Sequence, residues 1–151
     1  MPVSETISRA EGAQVKEHYM LLLMVLMVGH ALKHVFNAAF LIVLPELKVG
    51  LGLTNTGVGT LSTVRTLGGG IAVFPAGFLA DRFSRRYVTI LAITITLMGI
   101  SHFALGRVES YAQALVVVIF TMAAMITWHP SAIGVLSRVF SSRRGFAIAM
   151  H

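Results

Sequence analysis

Apolar residues gather into four long blocks and the start of a fifth, separated by short polar segments. The blocks cover about 20–44, 58–79, 87–105 and 112–139, and the fifth begins at 146 and runs to 151. A helix needs roughly 20 apolar residues to cross a hydrocarbon core about 30 Å thick, and each of the four blocks is about that long. The first ends at Pro45, Glu46 and Lys48, and Leu53-Thr54-Asn55 reads as a turn with a helix cap. The predicted architecture is all-α, a polytopic helical bundle, with a polar tail over 1–19 and a membrane domain over 20–151. A cleaved leader does not fit, because the first block exceeds a signal h-region of about 7–15 residues and no small-residue cleavage site follows it.

Composition agrees with this pattern. Of 151 residues 56% are hydrophobic and 12% charged, against roughly 25% charged in a soluble domain. Such a balance excludes a disordered chain, a coiled coil and an ordinary cytosolic enzyme. With no cysteine, a disulfide framework, a thiolate metal site and a thiol nucleophile are excluded as well. No catalytic residues and no cofactor are expected.

The net charge of +6 would suggest nucleic acid in a soluble protein, but its placement points elsewhere. Arg9, Lys16, Arg82, Arg85, Arg86, Arg138, Arg143 and Arg144 fall on one side of the threaded spans, and only Lys48 and Arg107 on the other. Basic residues collect on the cytoplasmic side. The expected topology therefore has a cytoplasmic N-terminus in a plasma membrane, the inner membrane of a bacterium, and no nucleic-acid partner.

Two basic residues lie inside spans. In the first, His30, Lys33, His34 and Asn37 are spaced 0, 3, 4 and 7, which places them on one helix face. A lysine near the bilayer centre costs about 2.5–3.5 kcal/mol, so this stripe should face a bundle interior or a water-filled cavity. Arg65 lies roughly 10 Å into the second span, where it can line the same cavity or snorkel to water. In the fourth span His129 sits at a depth similar to that of His30. It is followed by Pro130, which removes a backbone donor and should kink the helix. No span contains Asp or Glu. Lys33 and Arg65 are balanced by an anionic ligand or by acids from other sequence, or else Lys33 is uncharged. His30 and His34 also form an i, i+4 pair that could ligate a metal or haem, but spacing identifies no third ligand. His102, near the outer end of the third span, reads as interfacial.

The segment after the second span reads Gly77-Phe78-Leu79-Ala80-Asp81-Arg82-Phe83-Ser84-Arg85-Arg86. It resembles the signature loop of the major facilitator superfamily, G-x-L-A-D-R-x-G-R-R/K, with Ser84 where glycine is usual. The resemblance extends through Pro45 and Arg143-Arg144-Gly145, and implies the N-terminal part of a twelve-helix transporter built from two six-helix halves. On that pattern the first and fourth spans are equivalent cavity helices of two inverted repeats. The resemblance also implies a gating role for Gly77, Asp81, Arg82, Arg85 and Arg86, to which Pro130 is added as a hinge. Gly29-His30, Leu44-Pro45 and His129-Pro130 resemble bacterial drug-efflux members, but the acid those carry in span one is missing here. Uptake of a small organic anion is as compatible as export, and the subfamily stays open.

The expectation is thus an alternating-access transporter of a small, anionic organic solute or drug. His30, Lys33, His34, Asn37, Arg65 and His129 would bind substrate, with protons as a coupling partner because histidine titrates near neutral pH. The chain itself is expected to be a truncated fragment whose C-terminal half lies elsewhere. A histidine-ligated haem or metal membrane protein, and a non-transporting four-helix fragment, are the alternatives.

Overall fold

The computed structural model describes residues 3–151, with side chains from 17 onward. The charges of Arg9 and Lys16 in the polar tail lie outside the described side chains. Five α-helices follow one another: α1 Val3–Gly50, α2 Asn55–Arg82, α3 Tyr87–Leu105, α4 Tyr111–Val139 and α5 Arg144–Met150. Short 3-10 turns at Ser84–Arg86 and Ser141–Arg143 join α2 to α3 and α4 to α5. No strand occurs among the described residues. Glu17–Gly50, Asn55–Arg82, Ser84–Leu105 and Tyr111–Val139 are each long and apolar enough to cross a membrane. The fold is a multi-pass membrane bundle.

Helix ends are set by local chemistry. The Thr54 hydroxyl accepts from the Gly57 amide at 3.1 Å, and Ser110 does the same for Gln113 at 3.3 Å. Each satisfies a donor that the first helical turn leaves open. Helix α1 does not stop at the Pro45-Glu46-Lys48 segment but continues to Gly50. Pro45 lacks only its own backbone donor. Leu47, two residues further on, is buried in a cluster with Phe40, Leu61 and Leu105, and that packing holds the last turns in place. Gly52 then takes the left-handed conformation, φ 61°, that reverses the chain.

Helix α4 packs along both α2 and α3, while α1 touches α3 and α4. It is the most buried element, with Trp128, Ala132, Ser131 and Leu136 closed off almost completely. Between helices in lipid, close approach replaces the hydrophobic drive that operates in water. Two glycines provide it here. A Cβ on Gly29 would lie 2.7 Å from the Trp128 ring, and one on Gly134 would lie 2.5 Å from the Tyr87 ring. Hydroxyls inside the spans bond back to their own helices, as Thr66 does to the Ser62 carbonyl and Thr121 to that of Val117. This satisfies them where no water is available.

The two 3-10 turns share one backbone path. Phe83 (φ −108°, ψ 30°) closes α2 and Phe140 (φ −102°, ψ 45°) closes α4. Arg86 (φ −118°, ψ 26°) and Arg143 (φ −135°, ψ 36°) then open the next helices. No residue of this path has positive φ, which is why Ser84 substitutes for the usual glycine without strain.

Candidate functional site

A cavity of about 350 Å³ lies between α1, α2 and α4. Lys33, His34 and Asn37 line it from α1, Arg65, Thr66, Gly69, Gly70 and Val73 from α2, and Met122, Met125 and Ile126 from α4. One wall is therefore cationic and polar, and the opposite wall is apolar. The i, i+4 spacing of Lys33 and Asn37, and the small residues Gly69 and Gly70 on α2, create the space.

Arg65 turns inward. Its Nη2 donates to the Asn37 backbone carbonyl at 3.0 Å and to the Asn37 side-chain oxygen, and its guanidinium lies 4.7 Å from the Phe40 ring centroid. Of the two placements open to it in the sequence, the structure has it on the cavity wall. Lys33 is 8% exposed, and its ammonium donates to His129 Nε2. That bond ties α1 to α4 across the bundle.

His30 and His129 do not line this cavity. They belong to a second cluster centred on α1, α4 and the end of α5. His30 Nε2 lies 2.8 Å from His34 Nε2, and His30 Nδ1 lies 3.1 Å from His151 Nε2. The His151 ring stacks on Trp128, with centroids 5.2 Å apart and planes 18° apart. His151 and Trp128 were not among the expected site residues. His151 follows His30 by 121 positions, and periodicity along one helix cannot report such a partner. The apolar Met122, Met125 and Ile126 were missed for another reason: they read as ordinary span residues.

His102, near the outer end of α3, bridges two helices. Its Nδ1 lies 2.8 Å from the Met98 carbonyl oxygen and its Nε2 lies 2.7 Å from that of Phe36, so it links α3 to α1. Pro130 lies within α4, which continues through it. The carbonyl of Ile126, left without its usual helical donor by Pro130, belongs to a residue of the cavity wall.

At the loop end, Gly77, Asp81 and Arg82 fall in the last turns of α2, and Arg85 and Arg86 in the 3-10 turn. Arg82, Phe83, Ser84, Arg85 and Arg86 surround a basic recess. Arg138, at the end of α4, donates to the Ser84 carbonyl at 3.2 Å and lies 5.2 Å from the Tyr87 ring centroid. It fastens the signature loop to α4, a contact that basic residue counts do not reveal.

A bundle of long apolar helices around a polar, cation-lined cavity defines a polytopic membrane protein. The chain belongs to the Major Facilitator Superfamily, whose sequence profile matches residues 26–151. It is also 37% identical over 89 residues to a protein named "Probable 4-methylmuconolactone transporter" from Cupriavidus pinatubonensis (strain JMP 134 / LMG 1197). That match covers 58% of this chain and 20% of the relative, so the chain aligns with one fifth of the relative's length. No solved structure matches the chain.

Proposed function

We propose that the chain forms part of a secondary transporter that moves a small, amphiphilic organic anion by alternating access. The observation that carries this reading is the cavity: Lys33 and Arg65 line it together, and no apolar block supplies an Asp or Glu to balance them. Two cations held in a low-dielectric setting favour an anionic ligand. Met122, Met125 and Ile126 on the facing wall favour one with an apolar body. The naming of the relative as a probable transporter of 4-methylmuconolactone supports a small organic substrate. A second helical half would supply the rest of the binding surface and the partner of the gate.

In this reading Lys33, His34, Asn37 and Arg65 contact the substrate. His30 and His129 act through their neighbours, His129 by holding the Lys33 ammonium in place, and proton movement through the histidines couples to transport. Asp81, with Gly77 and the arginines 82, 85 and 86, forms the cytoplasmic gate, and Pro130 lets the cavity wall on α4 flex. The basic end of the bundle faces the cytoplasm of a bacterial cell.

The test is transport of a panel of radiolabelled small organic acids by cells producing the protein. K33A and R65A should each lower uptake or efflux at least about tenfold, the effect of losing one charge-assisted contact worth about 1.5–3 kcal/mol, with membrane abundance unchanged. Transport unaffected by both substitutions across the panel refutes the anion site.

A further inference from the structure

The histidine cluster beside the cavity has a chemistry of its own. His30 on α1, His129 on α4 and His151 at the end of α5 each offer a ring nitrogen, and these three nitrogens lie within 4.8 Å of one another. They come from three separate parts of the chain, so the bundle itself brings them together. We propose that His30, His129 and His151 form a binding site for a divalent transition-metal ion of the zinc or nickel class, separate from the anion cavity.

Imidazole nitrogens without thiolates suit zinc, nickel and copper rather than magnesium or calcium, which take oxygen ligands. Zinc–nitrogen bonds of about 2.0–2.1 Å in a tetrahedron set ligand nitrogens roughly 3.4 Å apart. His30 Nδ1 and His151 Nε2 already lie 3.1 Å apart, so an ion takes these two with little movement. His129 offers the third nitrogen, within 4.8 Å of the other two. The fourth position is left for water or for an anion.

Neighbouring residues prepare the ligands. When His30 Nε2–H donates to His34 Nε2, 2.8 Å away, the His30 Nδ1 keeps its lone pair and points it at His151. A second residue that fixes the tautomer of a ligating histidine in this way is a recurrent feature of metal centres. His151 is held by its stack on Trp128, while its Nδ1 is buried without a hydrogen-bond partner. Lys33 opposes the ion, because its ammonium donates to His129 Nε2. An ion and the lysine therefore compete for His129.

Trp128 is the one tryptophan in the sequence, and its ring lies 5.2 Å from that of His151 and 5.9 Å from that of His30. Its fluorescence reports directly on a paramagnetic ion bound between them. Titrating the full chain in lipid nanodiscs with Ni²⁺ should quench Trp128 in one saturable step at one ion per chain. EDTA should reverse the quenching, and Zn²⁺ should compete with it. H30Q, H129Q and H151Q should each weaken binding by about tenfold or more, H34Q about tenfold as an orienting residue, and H18Q not at all, while K33M tightens it. If a histidine variant loses its helical circular dichroism, Co²⁺ added to the unmodified chain decides instead: a visible band characteristic of nitrogen ligation, displaced by Zn²⁺, is expected. Absence of saturable quenching below about 1 mM, an affinity too weak for a built site, overturns the proposal. Quenching that persists unchanged in well-folded H30Q, H129Q and H151Q overturns it too.

Discussion

At the scale of single residues, glycines with the same local backbone have opposite roles. Gly29 lies against the ring of Trp128, which is 1% exposed and has no room to retreat. Gly70 lines the cavity, and a Cβ there meets nothing within 4 Å. Glycine in a helix interior costs about 0.5–1 kcal/mol relative to alanine. G70A should therefore stabilise the bundle by up to about that amount. G29A gains the same helix propensity but forces α1 away from α4, and overpacking of this kind costs about 1–3 kcal/mol. Thermal unfolding in detergent, followed by Trp128 fluorescence, should show the midpoint rising for G70A and falling for G29A. The same residue scale shows what was legible beforehand. Lys33, His34 and Asn37 share a helix face by spacing alone, and all three line the cavity. His30 shares that face by the same arithmetic yet turns to His151 and Trp128. Periodicity fixes a direction around one helix, and neighbours on other helices decide what a side chain meets.

At the scale of elements, the start of α2 was readable because capping is local. Thr54 accepts from the Gly57 amide, so donor and acceptor sit within one turn of chain. Losing such a cap costs about 0.5–2 kcal/mol. T54A should accordingly speed amide exchange at Gly57 by about 2- to 30-fold and leave the centre of α4 unchanged, as measured by hydrogen exchange in nanodiscs. The end of α1 was less readable. Proline and two charges at 45–48 suggest a stop, but the helix extends to Gly50 because Leu47 is buried in a cluster drawn from α2, α3 and α4. Tertiary packing overrides the local signal there. The paired 3-10 turns after α2 and α4 occupy an intermediate position. Phe-Ser and Arg-Arg recur in both segments, but their common backbone path is visible only in the dihedral angles.

At the scale of the whole molecule, the described residues divide into two core clusters. One, around Trp128, Leu136, Leu91 and Leu23, lies toward the basic turns, and the other, around Phe40, Leu61, Leu105 and Ala114, lies toward the opposite loops. Outside them Phe74 (83% exposed), Ile71 and Phe78 on α2 and Ile42 on α1 face outward. In water these would form an apolar surface too large for a soluble monomer, whereas in a bilayer they meet lipid or other apolar helices. Arginines at 82, 85, 86, 138, 143 and 144 all gather at the ends of α2 and α4, in the turns that follow, or at the first residue of α5. With this end in the cytoplasm, the turns at Ser84 and Ser141 lie on one side of the membrane and Thr54 and Ser110 on the other. Because the chain has no cysteine, single-cysteine labelling tests this arrangement without background. S84C and S141C should react with a membrane-impermeant maleimide only after cells are opened, and T56C and E109C should react in intact cells. The reverse pattern would invert the topology, placing the arginine-rich turns outside and removing the signature loop from the proposed cytoplasmic gate.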